Sequence, residues 1–413
     1  MHMRQYKDSG IPWMKQIPDN WSVVRGKDFL YLKNRPVREH DDVVTCFRDG
    51  EVVLRSERRT EGFTMSDKEI GYQGINKGDI VIHGMDGFAG AMGVSKSTGK
   101  GSPVLIVCNP KSEDDASYII YYLRSLAMNN VFVALATGIR ERSCDLRWNK
   151  ISVLPFVRPS FPEQIKIADF IDKKSEDIDS LIELQELMIE KLKAYKQSII
   201  TESVTKGLDP NARLVPSGID WIGLIPERWK VCRFKSYIHL HNEKASETVE
   251  FKINLENIES KSGRYIPTNS KYEGEGTTFK KGDVLFGKLR PYLAKVYAPE
   301  NEGSAIGDIY VFRPSSQIDT TFLKYTLLAD TFVTIVDSST YGTKMPRANW
   351  EFISCVPIVV PSLSEQQAIA SYLDEKCADI DRLIALKQQK IEKLKDYKKS
   401  VIYEAVTGKT DII

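Results

Sequence analysis

Three short patterns in this chain of 413 residues could do chemistry by residue type alone. Gly87-Phe88-Ala89-Gly90-Ala91-Met92-Gly93 follows a strand-like run and has the glycine density of a nucleotide-binding loop. No helical pattern follows it, however, and Ser95–Gly101 continues as turn-like sequence, so it reads as a Gly-rich hairpin. His239 and His241 would share one face of a strand, but no nearby Cys or third His completes a metal set. Glu250-Phe251-Lys252 is the nearest approach to a nuclease E-x-K, and no Asp precedes it within about twenty residues. The Asn/Asp-Pro-Pro-aromatic signature of amino-methyltransferases is absent. No catalytic constellation and no metal site emerges. What remains is a set of basic and aromatic residues in predicted loops. In the first half these are Arg55, Arg58 and Arg59, then Arg140 and Arg142; in the second, Lys288, Arg290, Tyr292, Lys344 and Arg347. Arginine can grip a guanine edge bidentately, and lysine or arginine can hold a phosphate. Singly, each also reads as a solvated surface charge, and Arg290 before Pro291 also reads as a residue that shapes its loop.

Composition bounds the elements that must position such residues. The length suggests two to three domains, and 42% apolar residues are enough for real cores. Lys and Arg number 58 against 56 Asp and Glu, so net charge singles out no partner. Between residues 21 and 158, 20 Lys and Arg face 17 Asp and Glu, a net of +3. Affinity for a polyanion would therefore come from local patches. Six scattered cysteines without a C-x-x-C pair fit a reduced cytoplasmic protein. No run of about 18 apolar residues occurs, so a soluble protein without a membrane partner is expected.

The chain contains one long stretch twice. Residues 163–206 and 365–408 align without a gap at an offset of 202, with 24 of 44 positions identical. Each begins near Glu-Gln (Glu163-Gln164, Glu365-Gln366), a helix start with an acid in its first turn. Apolar residues recur at Ile178, Leu181, Met188, Leu192, Tyr195 and Ile199, and at Ile380, Leu383, Leu394, Tyr397 and Val401. This predicts two long amphipathic helices with a coiled-coil seam, interrupted at Gln185 and Lys387. Apolar residues outside that seam, such as Leu184, Leu187, Ile189 and Ile391, suggest surface for a partner.

A second repeat precedes the first. Ser9-Gly10-Ile11-Pro12-Trp13 with Ile17-Pro18-Asp19-Asn20-Trp21 recurs as Ser217–Trp221 with Ile225–Trp229. Its Pro and Gly content predicts an irregular connector with buried Trp and Ile. Between connector and helix lies a variable region, roughly 22–158 and 230–360, rich in short β-like runs such as Asp79–Ile82, Val104–Val107, Asp283–Phe286 and Ile309–Phe312. Each has a Lys-Gly-Asp turn before a strand and one helix, near 116–128 and 318–335. The predicted fold is α+β: two similar domains, 1–158 and 207–360, separated by helical spacers at 159–206 and 361–413. The repeats follow each other as on a circle opened at one point. That order predicts a pseudo-two-fold axis with antiparallel helices.

Paired variable regions, each entered through I-P-x-x-W and left through Glu-Gln into a long Lys/Glu-rich helix, resemble the specificity subunit of type I restriction–modification systems. Gly287-Lys288-Leu289-Arg290-Pro291-Tyr292-Leu293 is also similar to a stretch recurrent in that family, whereas the first region reads His83-Gly84-Met85-Asp86-Gly87-Phe88. The resemblance implies a non-catalytic subunit whose two target-recognition domains read a bipartite, asymmetric sequence in double-stranded DNA. It implies helices that carry two methyltransferase subunits, with restriction and translocation subunits in the full complex. It also implies no cofactor in this chain; S-adenosylmethionine, ATP and Mg are expected in the partners. A coiled-coil scaffold that binds only proteins is the alternative.

Overall fold

The computed structural model describes residues 4–58, 70–135, 146–246, 248–270, 272, 274–340 and 345–412. Five helices organise the account: α1 (Ala116–Met128), α2 (Phe161–Lys206), α3 (Thr320–Leu328), α4 (Asp330–Ser338) and α5 (Leu363–Val406). The chain divides into two compact units, one of residues up to Gln185 together with those from Gln389 onward, the other Glu186–Gln388. Each unit holds one variable region and a segment of both long helices.

In the first unit an antiparallel sheet has the strand order Leu30–Leu32, Leu105–Pro110, Ile80–His83, Met92–Val94. Helix α1 buries Tyr118, Ile119, Tyr122, Leu123 and Leu126 in a core shared with Phe29, Ile80, Met92 and Phe156. In the second unit the corresponding sheet runs Ile238–His241, Ile309–Pro314, Val284–Gly287, Val296–Tyr297, again antiparallel. Here the predicted single helix is two, α3 and α4, separated at Ala329, whose ψ of 136° is extended. The β-like runs read from the sequence enter these sheets at Ile80, Leu105, Val284 and Ile309, with Asp79, Val104 and Asp283 just before their strands.

The Lys-Gly-Asp turns explain why both domains build the same frame. Asp79 and Asp283 are almost fully buried, at 2% and 1% exposure. Asp79 accepts from the Asn76 backbone N–H at 2.8 Å and from Asn109 Nδ2 at 3.0 Å, and it pairs with both Nη atoms of Arg35. Asp283 accepts from the Lys280 backbone N–H at 3.0 Å and from Arg313 Nε and Nη2 at 2.8 and 2.7 Å. A buried carboxylate is tolerated only when paired and hydrogen-bonded, and both are.

The Trp-bearing segments are not the irregular connectors expected. Each is a two-stranded hairpin, Tyr6–Ile11 with Met14–Pro18 and Leu214–Pro216 with Leu224–Pro226. The Gly residues supply left-handed positions at Gly10, Gly218 and Gly223 instead of ending the strands. Behind each hairpin a Trp caps a long helix. Trp21 is buried against Gly408, which has a φ of +71°; a Cβ there would lie 2.5 Å from Pro18 Cγ and 3.0 Å from the Trp21 ring. In the other unit Gly207, at φ +76°, takes the same place against Trp229.

The Glu-Gln pair does more than start a helix. Gln164 and Gln366 have no solvent exposure. Gln164 Oε1 accepts from the backbone N–H of Asp115, the N-cap of α1, at 2.8 Å, while its Nε2 donates to Asp114 at 2.8 Å and to the Pro159 carbonyl at 3.1 Å. Gln366 repeats this on Asp319, the N-cap of α3, at 2.8 Å, and on the Gln317 and Pro361 carbonyls, both at 3.0 Å. The amide therefore locks the first turn of the long helix to the variable region. Replacing either glutamine by alanine strands several buried groups and is expected to cost about 1–3 kcal/mol. Urea unfolding of Q164A and Q366A measures this, and unchanged midpoints would show that the amide is no clamp.

Candidate nucleic-acid interface and helical spacer

Along α2 the buried and half-buried line is Ile178, Ile182, Gln185, Ile189, Leu192, Lys196, Ile199, in alternating steps of four and three; along α5 it is Ile380, Ile384, Lys387, Ile391, Leu394, Lys398, Val401. Steps that average 3.5 residues are those of a coiled-coil seam. Ile178, Leu192, Ile199, Ile380, Leu394 and Val401 lie on it. Leu181, Met188, Tyr195, Leu383 and Tyr397, expected there, do not: all five are exposed. A step of three placed where the helix takes four rotates the residue out, so Tyr195 is 57% exposed and the neighbouring Lys196 only 7%. Ile189 and Ile391, expected outside the seam, are buried in it.

Within each unit the helical segments run antiparallel. In the first, Lys398 Nζ holds both oxygens of Asp179, at 2.8 and 2.7 Å. In the second, Lys196 Nζ holds both oxygens of Asp381, at 2.9 and 2.8 Å, and Gly207 lies near Glu365. Asp179 and Lys196 in one repeat correspond to Asp381 and Lys398 in the other at the offset of 202. The repeats thus pair crosswise, the arrangement expected from their circular order. The exposed Asp179–Lys398 pair is worth about 0–1 kcal/mol, whereas removing one partner of the mostly buried Lys196–Asp381 pair would cost on the order of 3–5 kcal/mol.

The candidate contact residues fall in two groups. In the second region Lys288, Arg290, Tyr292 and Arg347 come together on one pair of loops. Leu289 and Arg347 form an antiparallel bridge, Arg290 N–H donates to the Pro346 carbonyl at 2.8 Å, and Ala348 N–H donates to the Lys288 carbonyl at 2.8 Å. Asp308 gathers the charges, taking Arg347 Nη2 at 3.0 Å and standing 3.8 Å from Lys288 Nζ, which also lies over the Tyr310 ring. Arg290 and Ala294 both adopt left-handed backbone, with φ of 51° and 43°, around the turn Pro291–Leu293. For a residue before proline this conformation is doubly disfavoured. It throws the Arg290 and Tyr292 side chains into solvent. Neither the strain nor Asp308 was visible in the sequence, because Arg290 looks like an ordinary pre-proline residue and Asp308 lies far along the chain.

In the first region Arg55 and Arg58 lie on one helical turn, Arg55–Arg58, after the strand Val52–Leu54. Arg55 Nε donates to Thr45 Oγ1 at 3.3 Å. Arg58 is paired bidentately with Asp49, lies 3.2 Å from Glu51 and sits 4.4 Å over the Phe47 ring. Its carboxylate partner holds its pKa above the ordinary value. Arg59, Arg140, Arg142 and Lys344 lie outside the described residues. An open cleft of about 740 Å³ in the same domain is lined by Lys33, Gln73, Met85, Arg147 and Trp148 among others, none of them singled out by sequence pattern.

The chemical patterns have structural occupants. Gly87–Ala89 is a short 3-10 turn leading to the strand Met92–Val94. His241 Nε2 lies 2.7 Å from Thr278 Oγ1 and its Nδ1 3.1 Å from Arg313, and Lys252 Nζ reaches the Tyr272 carbonyl at 3.5 Å. Among the described residues no three His, Cys, Asp or Glu cluster as metal ligands, and no helix is long and apolar enough to cross a membrane.

Comparison with known proteins gives this architecture its class. Residues 226–396 match the family described as the type I restriction modification DNA specificity domain. The type I restriction enzyme MjaVIII specificity subunit of Methanocaldococcus jannaschii is 25% identical over 440 residues, covering 98% of this chain and 97% of that protein. The EcoDI specificity subunit of Escherichia coli is 24% identical over 287 residues, covering 64% of each. In fold the chain is similar to a chain of a solved type I R-M system complex (TM-score 0.71, 14% identity, covering 95% of this chain and 99% of that one). It is also similar to the HsdS subunit of Thermoanaerobacter tengcongensis (TM-score 0.58, 15% identity, 95% and 98%). Residues 226–396 thus match a DNA specificity domain, and the whole chain is similar in sequence and fold to type I restriction enzyme specificity subunits.

The strained loop gives a measurable consequence. A left-handed non-glycine residue costs roughly 1–2 kcal/mol, and glycine recovers this against a larger unfolded-state entropy of about 0.5–1 kcal/mol. Arg290→Gly is therefore expected to leave thermal stability unchanged or raised by up to about 1 kcal/mol. A clear drop in melting temperature would refute the strain.

Proposed function

We propose that this chain is the non-catalytic DNA-reading subunit of a type I restriction–modification enzyme, with one half of a bipartite, asymmetric target read by each recognition domain. The observation that carries this is similarity to a specificity subunit along both halves of the chain, in a fold that repeats one frame with unlike loops. In the second domain Lys288, Arg290, Tyr292 and Arg347 meet the groove and the phosphates; in the first, Arg55 and Arg58 do so with Arg59, Arg140 and Arg142, and Lys344 joins the second set. Arginine held by a rigid loop reads guanine with little loss of side-chain entropy.

Catalysis lies in partner subunits of the same cytoplasmic complex, which bring S-adenosylmethionine, ATP and Mg. The exposed apolar residues on the helices support a docking role. They are Leu181, Leu184 and Tyr397 in the first unit and Leu187, Met188, Tyr195, Leu383 and Leu386 in the second. Two methyltransferase subunits would cover them, and restriction and translocation subunits would join the full complex.

Exchanging residues 22–158 for the corresponding region of another specificity subunit should change one half-site and leave the other intact. Mapping of methylated sites with the reconstituted methyltransferase reads this out, and two unchanged half-sites would end the modular assignment.

The helical pair would act as a ruler. Seven residues inserted into both helices, near 188 and 390, preserve the four-three alternation and add about 10 Å, roughly three base pairs. Methylation mapping should show a longer unread spacer, and an unchanged one would exclude the ruler.

A further inference from the structure

In the first domain a hairpin joins Val44–Cys46 to Val52–Leu54, with Gly50 at its tip at φ +92°. Four cations surround it, Arg48, Arg58, Lys96 and Arg124, with three carboxylates, Asp49, Glu51 and Asp86. Arg58 takes Asp49 and Glu51, Lys96 takes Glu51 at 3.0 Å, and Arg48 takes Asp86 at 2.8 Å. Arg124, on α1, is the exception: among the described residues its guanidinium has no hydrogen bond or ion pair, and its Nε is buried without a partner. It lies so close beneath the hairpin that a Cβ on Gly50 would stand 2.1 Å from Nη1. Burial presses its pKa below the ordinary value, while Tyr121 and Asp49 act against that shift. The side chain lines an open pocket of about 660 Å³ whose other walls include Arg48, Phe88, Gly90, Met128 and Asn130.

A desolvated guanidinium without an acceptor is an expensive arrangement unless something supplies one. Four positive charges against three negative leave one positive charge, which one phosphodiester would neutralise. The same hairpin holds Arg58, already a candidate contact, so an anion at Arg124 would lie on a surface that faces nucleic acid. Resting on the DNA-recognition function above, we propose that Arg124, with Arg48 beside it, forms an anion site that takes one backbone phosphate of duplex DNA. The contact carries no sequence information. It positions the first domain on the groove while other loops read bases.

The test uses the full chain, a mixed-sequence duplex and fluorescence anisotropy between 50 and 200 mM salt. Losing one phosphate contact lowers the slope of log affinity against log salt by about 0.9, so Arg124→Met should lose about 3.5-fold less affinity over that range than the unmodified chain. Arg124→Lys should restore the slope. At low ionic strength, inorganic phosphate should raise the melting temperature of the unmodified chain and not that of R124M. A lower melting temperature in R124M with an unchanged slope would make Arg124 structural and overturn the site, leaving DNA recognition intact. Phosphate stabilisation without any binding of DNA would overturn the DNA assignment together with the function on which it rests. If R124M does not fold, Arg124→Gln takes its place in both measurements with the same outcomes.

Discussion

The seam that repeats every seven residues along the two long helices constrains everything else. Its positions are equivalent in both repeats, so the helices can satisfy it only by facing each other in a way the duplication permits. Antiparallel pairing brings the early part of one repeat beside the late part of the other. The crosswise Asp179–Lys398 and Lys196–Asp381 bridges record this in two places. Polar residues within the line, Gln185, Lys196, Lys387 and Lys398, weaken the seam as a hydrophobic surface. Polar residues at seam positions commonly trade stability for a fixed register.

From that seam outward, each domain is held by the same small set of contacts. Gln164 and Gln366 bind the N-caps of α1 and α3, Tyr121 donates to Asp172, and Tyr325 donates to Asp374 at 2.7 Å. Trp21 and Trp229 close the ends of the helices, and Asp79 and Asp283 anchor the sheets. These residues recur because each satisfies a buried polar group or fills a fixed volume. The loops that present arginine and lysine answer to neither demand, and they differ. Frame and specificity are therefore physically separable: the frame bears the stability while the loops are free to change partner.

The two loop systems also illustrate different routes to a ready surface. At Lys288–Leu293 the backbone is held in disfavoured conformations by cross-loop hydrogen bonds, and Arg290 and Tyr292 stand out into solvent. At the Phe47–Gly50 hairpin the backbone is relaxed around glycine, and the charges are instead matched almost to neutrality, with Arg124 left over. Backbone strain marks the loop in one domain; charge pairing incomplete among the described residues marks it in the other.

Periodicity and duplication in the chain were enough to establish two α+β domains, two long helices and their circular order, because local side-chain patterns encode which faces must be buried. The Lys-Gly-Asp turns and the strands after them were legible for the same reason. The exact seam was not. Runs such as Leu181-Ile182 and Tyr195-Lys196 offer adjacent choices, and the folded helix turns Ile182 and Lys196 inward where Leu181 and Tyr195 fitted the apolar pattern. The hairpins at the Trp segments, the break at Ala329, the left-handed Arg290 and the Arg124 guanidinium without a partner among the described residues were decided only in three dimensions. Each depends on a partner distant in sequence, such as Pro346 for Arg290 or Gly50 for Arg124, and a local pattern cannot carry the balance of charge and volume at a contact that only folding creates.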